Sequence, residues 1–128
     1  QHWFNMGDRL GARAPKIFYA NWFRKSVDGK WLWPGFGENA RVLKWMCERV
    51  EGKVGAIETP LGYVPAVGDL DVSGLKIDAA EMDELLRVDV AGWKKEVPEI
   101  EAYLSQAGAR LSDRMKAQLA GLKKRVGL

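Results

Sequence analysis

The chain has 128 residues, of which 47% are hydrophobic, with 20 basic residues, 17 acidic residues, one histidine and one cysteine. This composition supports a folded core, and it excludes a disordered, collagen-like or disulfide-stapled chain. No apolar run reaches the roughly 18 residues that span a membrane and no signal peptide opens the chain, so we expect a soluble, cytoplasmic protein. Because the sequence begins with Gln1 instead of Met, we expect a piece of a longer protein.

Charge is unevenly distributed along the sequence. Residues 69–101 contain ten acidic and four basic residues, whereas residues 110–128 contain six basic residues and one acidic residue. A basic C-terminal helix is compatible with DNA or an anionic lipid surface, but it is also typical of a solvated face that pairs with an acidic segment. We favour the second interpretation, because the tail has no aromatic side chain to stack on a base, and we expect no nucleic-acid or membrane partner.

The first residues predict the end of a helix, and a strand is predicted after it. Trp3, Met6 and Leu10 recur at helical spacing, and Gly11 is a typical helix stop. Residues 17–23 (IFYANWF) are short and rich in aromatic side chains, which predicts a β-strand.

A β-hairpin and a second turn are predicted next. The Asp28-Gly29 dipeptide is among the strongest hairpin signals, and it separates two segments of strand-like composition. Pro34-Gly35 then predicts a turn that ends the hairpin.

A helix is predicted at about residues 38–50, followed by a long irregular stretch over residues 52–77. The helix has an apolar stripe that would place Cys47 in the core, where it is a packing residue and not a nucleophile. The stretch after it is rich in glycine and has two prolines, with short strands expected around Tyr63, and we expect it to wrap a partner domain. The predicted stripe consists of Leu43, Met46, Cys47 and Val50.

The rest of the chain, residues 78–128, is predicted to be helical. Asp78 and Glu81 have the spacing of a capping box, and Pro98 either kinks a helix or begins a second one. The fold class is therefore α+β and helix-heavy, with a small antiparallel strand or hairpin element in the first third. We divide the chain into a recognition segment (1–50), an irregular wrap (51–77) and a helical tail (78–128). A final apolar stripe is formed by Leu111, Met115, Leu119, Leu122 and Val126.

Aromatic side chains crowd around a phenylalanine that two glycines bracket. Gly35 and Gly37 allow a tight bend at Phe36, which presents its ring to something flat, and aromatic rings stack on bases whatever the base. Asn39 adds an amide, and the free backbone N–H groups at the helix start add donors, which together favour guanine, whose O6 is an acceptor. The alternative is a Trp-rich hairpin that fills a core or packs on a protein partner, without nucleotide. Five of the six tryptophans lie in the first 45 residues: Trp3, Trp22, Trp31, Trp33 and Trp45.

Other motifs are weak. Residues 35–40 match the G-x-G-x-x-A dinucleotide fingerprint, but Pro34 and a hairpin precede it instead of a buried parallel strand, and Glu38 would repel a pyrophosphate. The sequence has no G-x-x-x-x-G-K-[ST] motif. His2 is alone, so no histidine-based metal cluster is expected.

Two stretches of the chain strongly resemble the GTP-dependent phosphoenolpyruvate carboxykinases. They are residues 17–25 (IFYANWFRK) and residues 32–46 (LWPGFGENARVLKWM), of which the WPGFGEN block is characteristic of that family. The resemblance continues less strictly through residues 59–65 and the helical tail. It implies that this chain is about the C-terminal fifth of such an enzyme, a piece of its nucleotide-binding domain.

The family converts oxaloacetate and GTP to phosphoenolpyruvate, GDP and CO2, a lyase (decarboxylase) reaction of gluconeogenesis. The resemblance implies guanine nucleotide (GTP/GDP) at this segment, and Mn²⁺ and Mg²⁺ in the full enzyme with their ligands outside this chain. The phosphate-binding P-loop and the mobile lid would also lie outside it. We therefore expect the chain alone to be inactive, to need the missing N-terminal and P-loop portions, and to self-associate through exposed apolar surface.

The resemblance also assigns roles to individual residues. Phe23 and Phe36 would sandwich the guanine, Trp31 would be a third ring where the family usually has Phe, and Asn39 would read the edge of the base. No catalytic residue and no metal ligand is implied within this chain. The remaining residues complete the loop or support the rings: Gly37, Glu38, Trp22 and Trp33.

Overall fold

The computed structural model describes all 128 residues and contains five α-helices, three 3₁₀ turns and one two-stranded antiparallel sheet. It confirms the helix-heavy α+β class. None of its helices combines the length and apolar character that crossing a membrane requires. The helices are α1 (His2–Leu10), α2 (Asn39–Val50), α3 (Ala79–Leu86), α4 (Val90–Ser105) and α5 (Asp113–Val126), the strands are β1 (Ile57–Thr59) and β2 (Gly62–Val64), and the 3₁₀ turns are Gly11–Arg13, Phe36–Glu38 and Gly108–Arg110.

The chain forms two compact units, one of residues 16–87 and one of residues 1–15 with 88–128. In the first unit the core consists of Trp45, Leu70 and Met82, each no more than 5% exposed. The irregular stretch after α2 contributes side chains to this core, and the short strands predicted within it are confirmed as β1 and β2. That the stretch also wraps a partner domain stays a prediction.

The buried face of α2 differs from the predicted one. Leu43 and Val50 are 52% and 56% exposed, and Cys47 is also exposed, so the prediction of a core cysteine is wrong. The face that packs inward carries Trp45 instead, with Val42 and Met46 beside it. The two stripes are offset by one residue, and the one that contains tryptophan buries more apolar area, which decides the orientation of the helix.

The predicted strand over residues 17–23 does not form. No backbone hydrogen bond pairs this segment with another part of the chain, and Ile17 and Tyr19 are 87% and 95% exposed. The N–H of Phe23 donates to Asn21 Oδ1 at 3.0 Å, a local turn that competes with extended pairing. A strand needs a partner strand for its backbone groups, and these 128 residues provide none.

The hairpin turn at Asp28-Gly29 is confirmed, although its arms are shorter than expected. Ser26 N–H donates to the carbonyl of Lys30 at 2.9 Å, and one isolated antiparallel bridge joins Lys25 and Trp31. Gly29 has φ 78°, a conformation that favours glycine.

The helical predictions for α3 and α4 are confirmed. Asp78 Oδ1 accepts from Glu81 N–H at 2.8 Å and Glu81 Oε2 accepts from Asp78 N–H at 3.1 Å, which is the predicted capping box. Helix α4 continues through Pro98 as one helix. Its Val97 is fully buried inside the unit that contains α1, α4 and α5.

The basic tail pairs with the acidic segment 69–101, as expected, at Lys123, and it also pairs with α1. In α5, Lys123 pairs with Glu101 of α4 at 2.6 Å and Arg114 with Asp8 of α1 at 2.6 Å. Val126, at the end of the final apolar stripe, is 2% exposed.

Candidate functional site

The turn before α2 holds Phe36 in an unusual conformation. Gly35 has φ 77°, and Phe36, with φ 47°, is the non-glycine residue of the chain that adopts a positive φ. Its side chain is 97% exposed. A non-glycine residue in this region is conformationally strained, and such strain concentrates at ligand clamps and active sites. The observed outlier therefore marks this turn as a functional candidate.

Phe36 lies at the wall of an open, mainly aromatic cavity of about 610 Å³. A volume of this size and an apolar lining with few polar groups are typical of small-molecule sites. The wall brings together five of the seven residues predicted for the site. The lining residues are Trp22, Phe23, Trp31, Trp33, Pro34, Gly35, Phe36 and Asn39.

The hairpin supplies two further exposed rings. Phe23 and Trp31 meet edge to face, with their ring centroids 5.9 Å apart, and they are 73% and 52% exposed. The ammonium group of Lys25 lies 4.2 Å from the centre of the Trp31 ring and brings a positive charge to this side of the cavity. Large aromatic surfaces left in contact with solvent are costly unless a ligand or partner covers them.

Asn39, the first residue of α2, contributes the carboxamide of the wall. Its Oδ1 accepts a hydrogen bond from Trp33 Nε1 at 3.0 Å, and Trp33 is only 4% exposed. This bond leaves the amino group of Asn39 without an intramolecular acceptor, so a donor remains for a ligand.

Two of the backbone donors expected at the start of α2 are used within the turn, which corrects the expectation for them. Glu38 N–H donates to the carbonyl of Gly35 at 3.1 Å, and Asn39 N–H donates to the carbonyl of Phe36. The helix is entered through a 3₁₀ turn, whose i to i+3 bonds satisfy these amides. The donor that α2 presents to the wall is therefore the side chain of Asn39, not the N–H groups of Glu38 and Asn39.

Two predicted site residues lie outside the cavity wall. Gly37 and Glu38 do not line it, and the carboxylate of Glu38 accepts from Arg41 Nε, whose guanidinium also donates to the carbonyl of Asp71 at 2.7 Å. Their part in binding stays a prediction. Sequence reasoning missed Pro34, whose signal is its place between the buried Trp33 and the turn.

Two polar contacts attach the hairpin to α3. Arg24 Nη1 donates to the carbonyls of Leu85 and Arg87 at 3.0 and 2.8 Å. Lys30 Nζ donates to Glu81, and this hydrogen bond with its charge attraction raises the pKa of Lys30 and, together with the N–H of Asp78, lowers the pKa of Glu81. These contacts fix the segment that carries Phe23 and Trp31 relative to the core of the same unit.

No three side chains among His, Cys, Asp and Glu lie close enough together to hold a metal ion. His2 is exposed on α1, in an edge-to-face contact with Trp3.

Comparison with known proteins identifies the family. Residues 1–125 match the family model described as "Phosphoenolpyruvate carboxykinase C-terminal P-loop domain". The chain is 46% identical over 127 residues to phosphoenolpyruvate carboxykinase [GTP] of Paenarthrobacter aurescens (strain TC1), covering 98% of this chain and 21% of that protein. It is 49% identical over 135 residues to the enzyme of the same name from Neocallimastix frontalis, covering 96% and 22%.

The human mitochondrial phosphoenolpyruvate carboxykinase [GTP] is 46% identical over 127 residues, with 98% of this chain and 20% of that protein covered. The chain thus spans about a fifth of the length of the curated relatives that it matches. The match nevertheless extends over almost all of its own residues, from α1 to α5. This chain belongs to the GTP-dependent phosphoenolpyruvate carboxykinase family.

Proposed function

We propose that the chain is the guanine-binding C-terminal part of a phosphoenolpyruvate carboxykinase, which converts oxaloacetate and GTP to phosphoenolpyruvate, GDP and CO2 in gluconeogenesis. The observation that carries the proposal is Phe36, an exposed ring on a strained turn at the wall of an aromatic cavity. A ring that served only the core would be buried and its backbone relaxed.

The base is held by stacking between Phe23 and Phe36, with Trp31 as a third ring. All three rings line the same cavity and are at least half exposed, which supports this arrangement. Stacking of one base contributes about 1–3 kcal/mol and depends little on which base is bound. Specificity for guanine must therefore come from hydrogen bonds, and the Asn39 amino group in the wall is suited to donate to O6.

Catalysis itself depends on parts of the protein beyond these residues. The phosphate-binding loop and the ligands of Mn²⁺ and Mg²⁺ are proposed to belong to the N-terminal and P-loop portions of the same enzyme. Without the phosphate contacts, stacking alone gives the chain an affinity that is about millimolar at best. The chain alone is therefore inactive, and Gly37 and Glu38 complete the loop without touching the base.

The proposed partner for residues 17–20 is the rest of the same protein. Ile17 and Tyr19 alternate with Phe18, which contacts Trp45 edge to face at 6.2 Å, so one side of the segment faces the core and the other faces outward. Its unpaired backbone suits addition to a neighbouring sheet. In isolation the same surface promotes self-association. We place the whole protein in the cytoplasm.

Tryptophan fluorescence tests the guanine site, because Trp22, Trp31 and Trp33 line the cavity. GDP should quench the emission of the chain at millimolar concentration, and ADP should do so much less. Turnover of oxaloacetate with GTP by the purified chain would contradict the claim that it is inactive alone.

The exposed apolar side chains also support a second candidate, a Trp-rich protein-interaction module that binds no nucleotide. Ile17, Tyr19 and Val27 are each at least 87% exposed, which is the kind of surface that a protein partner covers. Fluorescence that responds to neither GDP nor ADP favours this module over the guanine site.

A further inference from the structure

We infer that Trp33 is a positioning residue, which turns the Asn39 carboxamide so that its amino end faces the cavity and the site prefers a 6-oxopurine. This inference rests on the proposed nucleotide function and extends it from the residue that contacts the base to the residue that orients it. The carboxamide of Asn39 has a donor end and an acceptor end, so Asn39 alone does not select between guanine and adenine.

The contact between the two side chains fixes the direction of the amide. Trp33 Nε1 lies 3.0 Å from Asn39 Oδ1, and an indole N–H can only donate, so the oxygen end must face it. Rotating the amide by half a turn would set the amino group against the indole N–H and leave both donors without an acceptor. Because Trp33 is 4% exposed, water does not readily replace the lost bond.

Burial of an indole does not by itself bring an acceptor in this chain. Trp45 is also 4% exposed, and its Nε1 has no hydrogen-bond partner. The bond of Trp33 is therefore a specific feature of the site and not a general consequence of packing a tryptophan in the core.

The orientation decides which purine edge is accepted. With its oxygen held by Trp33, Asn39 offers a donor, which matches the 6-oxo group of guanine or hypoxanthine and meets the 6-amino group of adenine as donor against donor. The backbone N–H groups of Glu38 and Asn39 are used inside the turn, so they do not substitute for it.

The test compares four nucleoside diphosphates on the 128-residue chain and on Trp33→Phe, by NMR titration at millimolar concentration. GDP and IDP carry the 6-oxo group, whereas ADP and the 2-aminopurine analogue lack it. Trp33→Phe should weaken GDP and IDP about tenfold, the usual size of one hydrogen bond to a ligand, and leave the other two unchanged. An equal loss for all four would indicate a merely structural role, and unchanged GDP binding would also overturn the inference.

A second variant keeps the inference testable if Trp33→Phe is poorly folded. Asn39→Asp retains an oxygen for Trp33 and replaces the donor with an acceptor, so the ratio of GDP to ADP affinity should fall below one. A preference for GDP that persists in this variant would overturn the inference alone. A wild-type chain that binds none of the four nucleotides would overturn the proposed function as well.

Discussion

Replacing Phe36 with Ala separates the role of this residue in binding from any role in folding. The ring is 97% exposed, so its removal takes almost no apolar surface out of the folded core. Its φ of 47° persists whichever L-residue stands there, so Phe36→Ala neither gains nor loses the strain. The free energy of unfolding should therefore change by no more than about 0.5 kcal/mol.

Phe36→Gly should differ from Phe36→Ala in its free energy of unfolding but have the same affinity for GDP. Relief of the left-handed conformation is worth about 1–2 kcal/mol, and the greater freedom of glycine in the unfolded chain costs about 0.5–1 kcal/mol. The glycine variant should therefore be as stable as the wild type or up to about 1.5 kcal/mol more stable. Both variants lose one stacking face, which is worth about 1–3 kcal/mol, or roughly 5-fold to 150-fold in affinity for GDP.

The measurements are urea unfolding followed by circular dichroism, and GDP titration followed by tryptophan fluorescence. Tyr103→Ala is the matched control, because Tyr103 is an aromatic residue of α4 that is 72% exposed and does not line the cavity. It should change neither quantity appreciably. If Phe36→Ala binds GDP as tightly as the wild type, or unfolds several kcal/mol more easily, the reasoning about this ring is refuted.

Three further predictions concern the packing around the site and the helix caps. The pKa of Glu81 is lowered from its ordinary value of 4.5, so the ion pair with Lys30 stabilises the folded chain above about that pH and is lost on further acidification. Glu81→Gln should therefore reduce the difference between the urea midpoints measured near pH 7 and at about pH 3. An unchanged difference would contradict this prediction. Trp45→Ala should cost about 3–5 kcal/mol in urea unfolding, but Trp45→Phe much less, because it removes an indole N–H that has no partner. Equal losses would argue against that account. Ser112→Ala should cost about 1 kcal/mol, since Ser112 Oγ accepts from Met115 N–H at the start of α5, and no change in thermal midpoint would contradict the cap.

Local signals predicted the elements that local interactions stabilise. The Asp78–Glu81 capping box and the Asp28-Gly29 turn both involve residues within four positions of each other, and both are present. The choice of buried face on α2 was wrong, because two apolar stripes were available and only tertiary packing around Trp45 selects between them. Exposure of Cys47 follows from the same choice.

The aromatic composition and the glycines of residues 22–39 predicted where the cavity would lie, because a phenylalanine between two glycines has no regular face to bury. The hydrogen bond between Trp33 and Asn39 could not be predicted from the sequence. It depends on the distance between a buried indole and a helix start, which no spacing rule specifies. Nor does the sequence predict that a 3₁₀ turn uses the N–H groups of Glu38 and Asn39.

Residues 17–20 and the cavity differ in whether their contacts lie within this chain. The cavity is held by contacts inside its own unit, since Arg24 donates to two carbonyls at the C-terminal end of α3 and Lys30 pairs with Glu81. The segment around Ile17 and Tyr19 has strand-like composition but no backbone partner among these residues. The sequence pattern does not distinguish an element whose contacts lie within this chain from one whose partner lies elsewhere. A strand forms only where its backbone groups are hydrogen-bonded. A polypeptide that adds a pairing strand should therefore order this segment and leave the geometry at Phe36 and Asn39 unchanged.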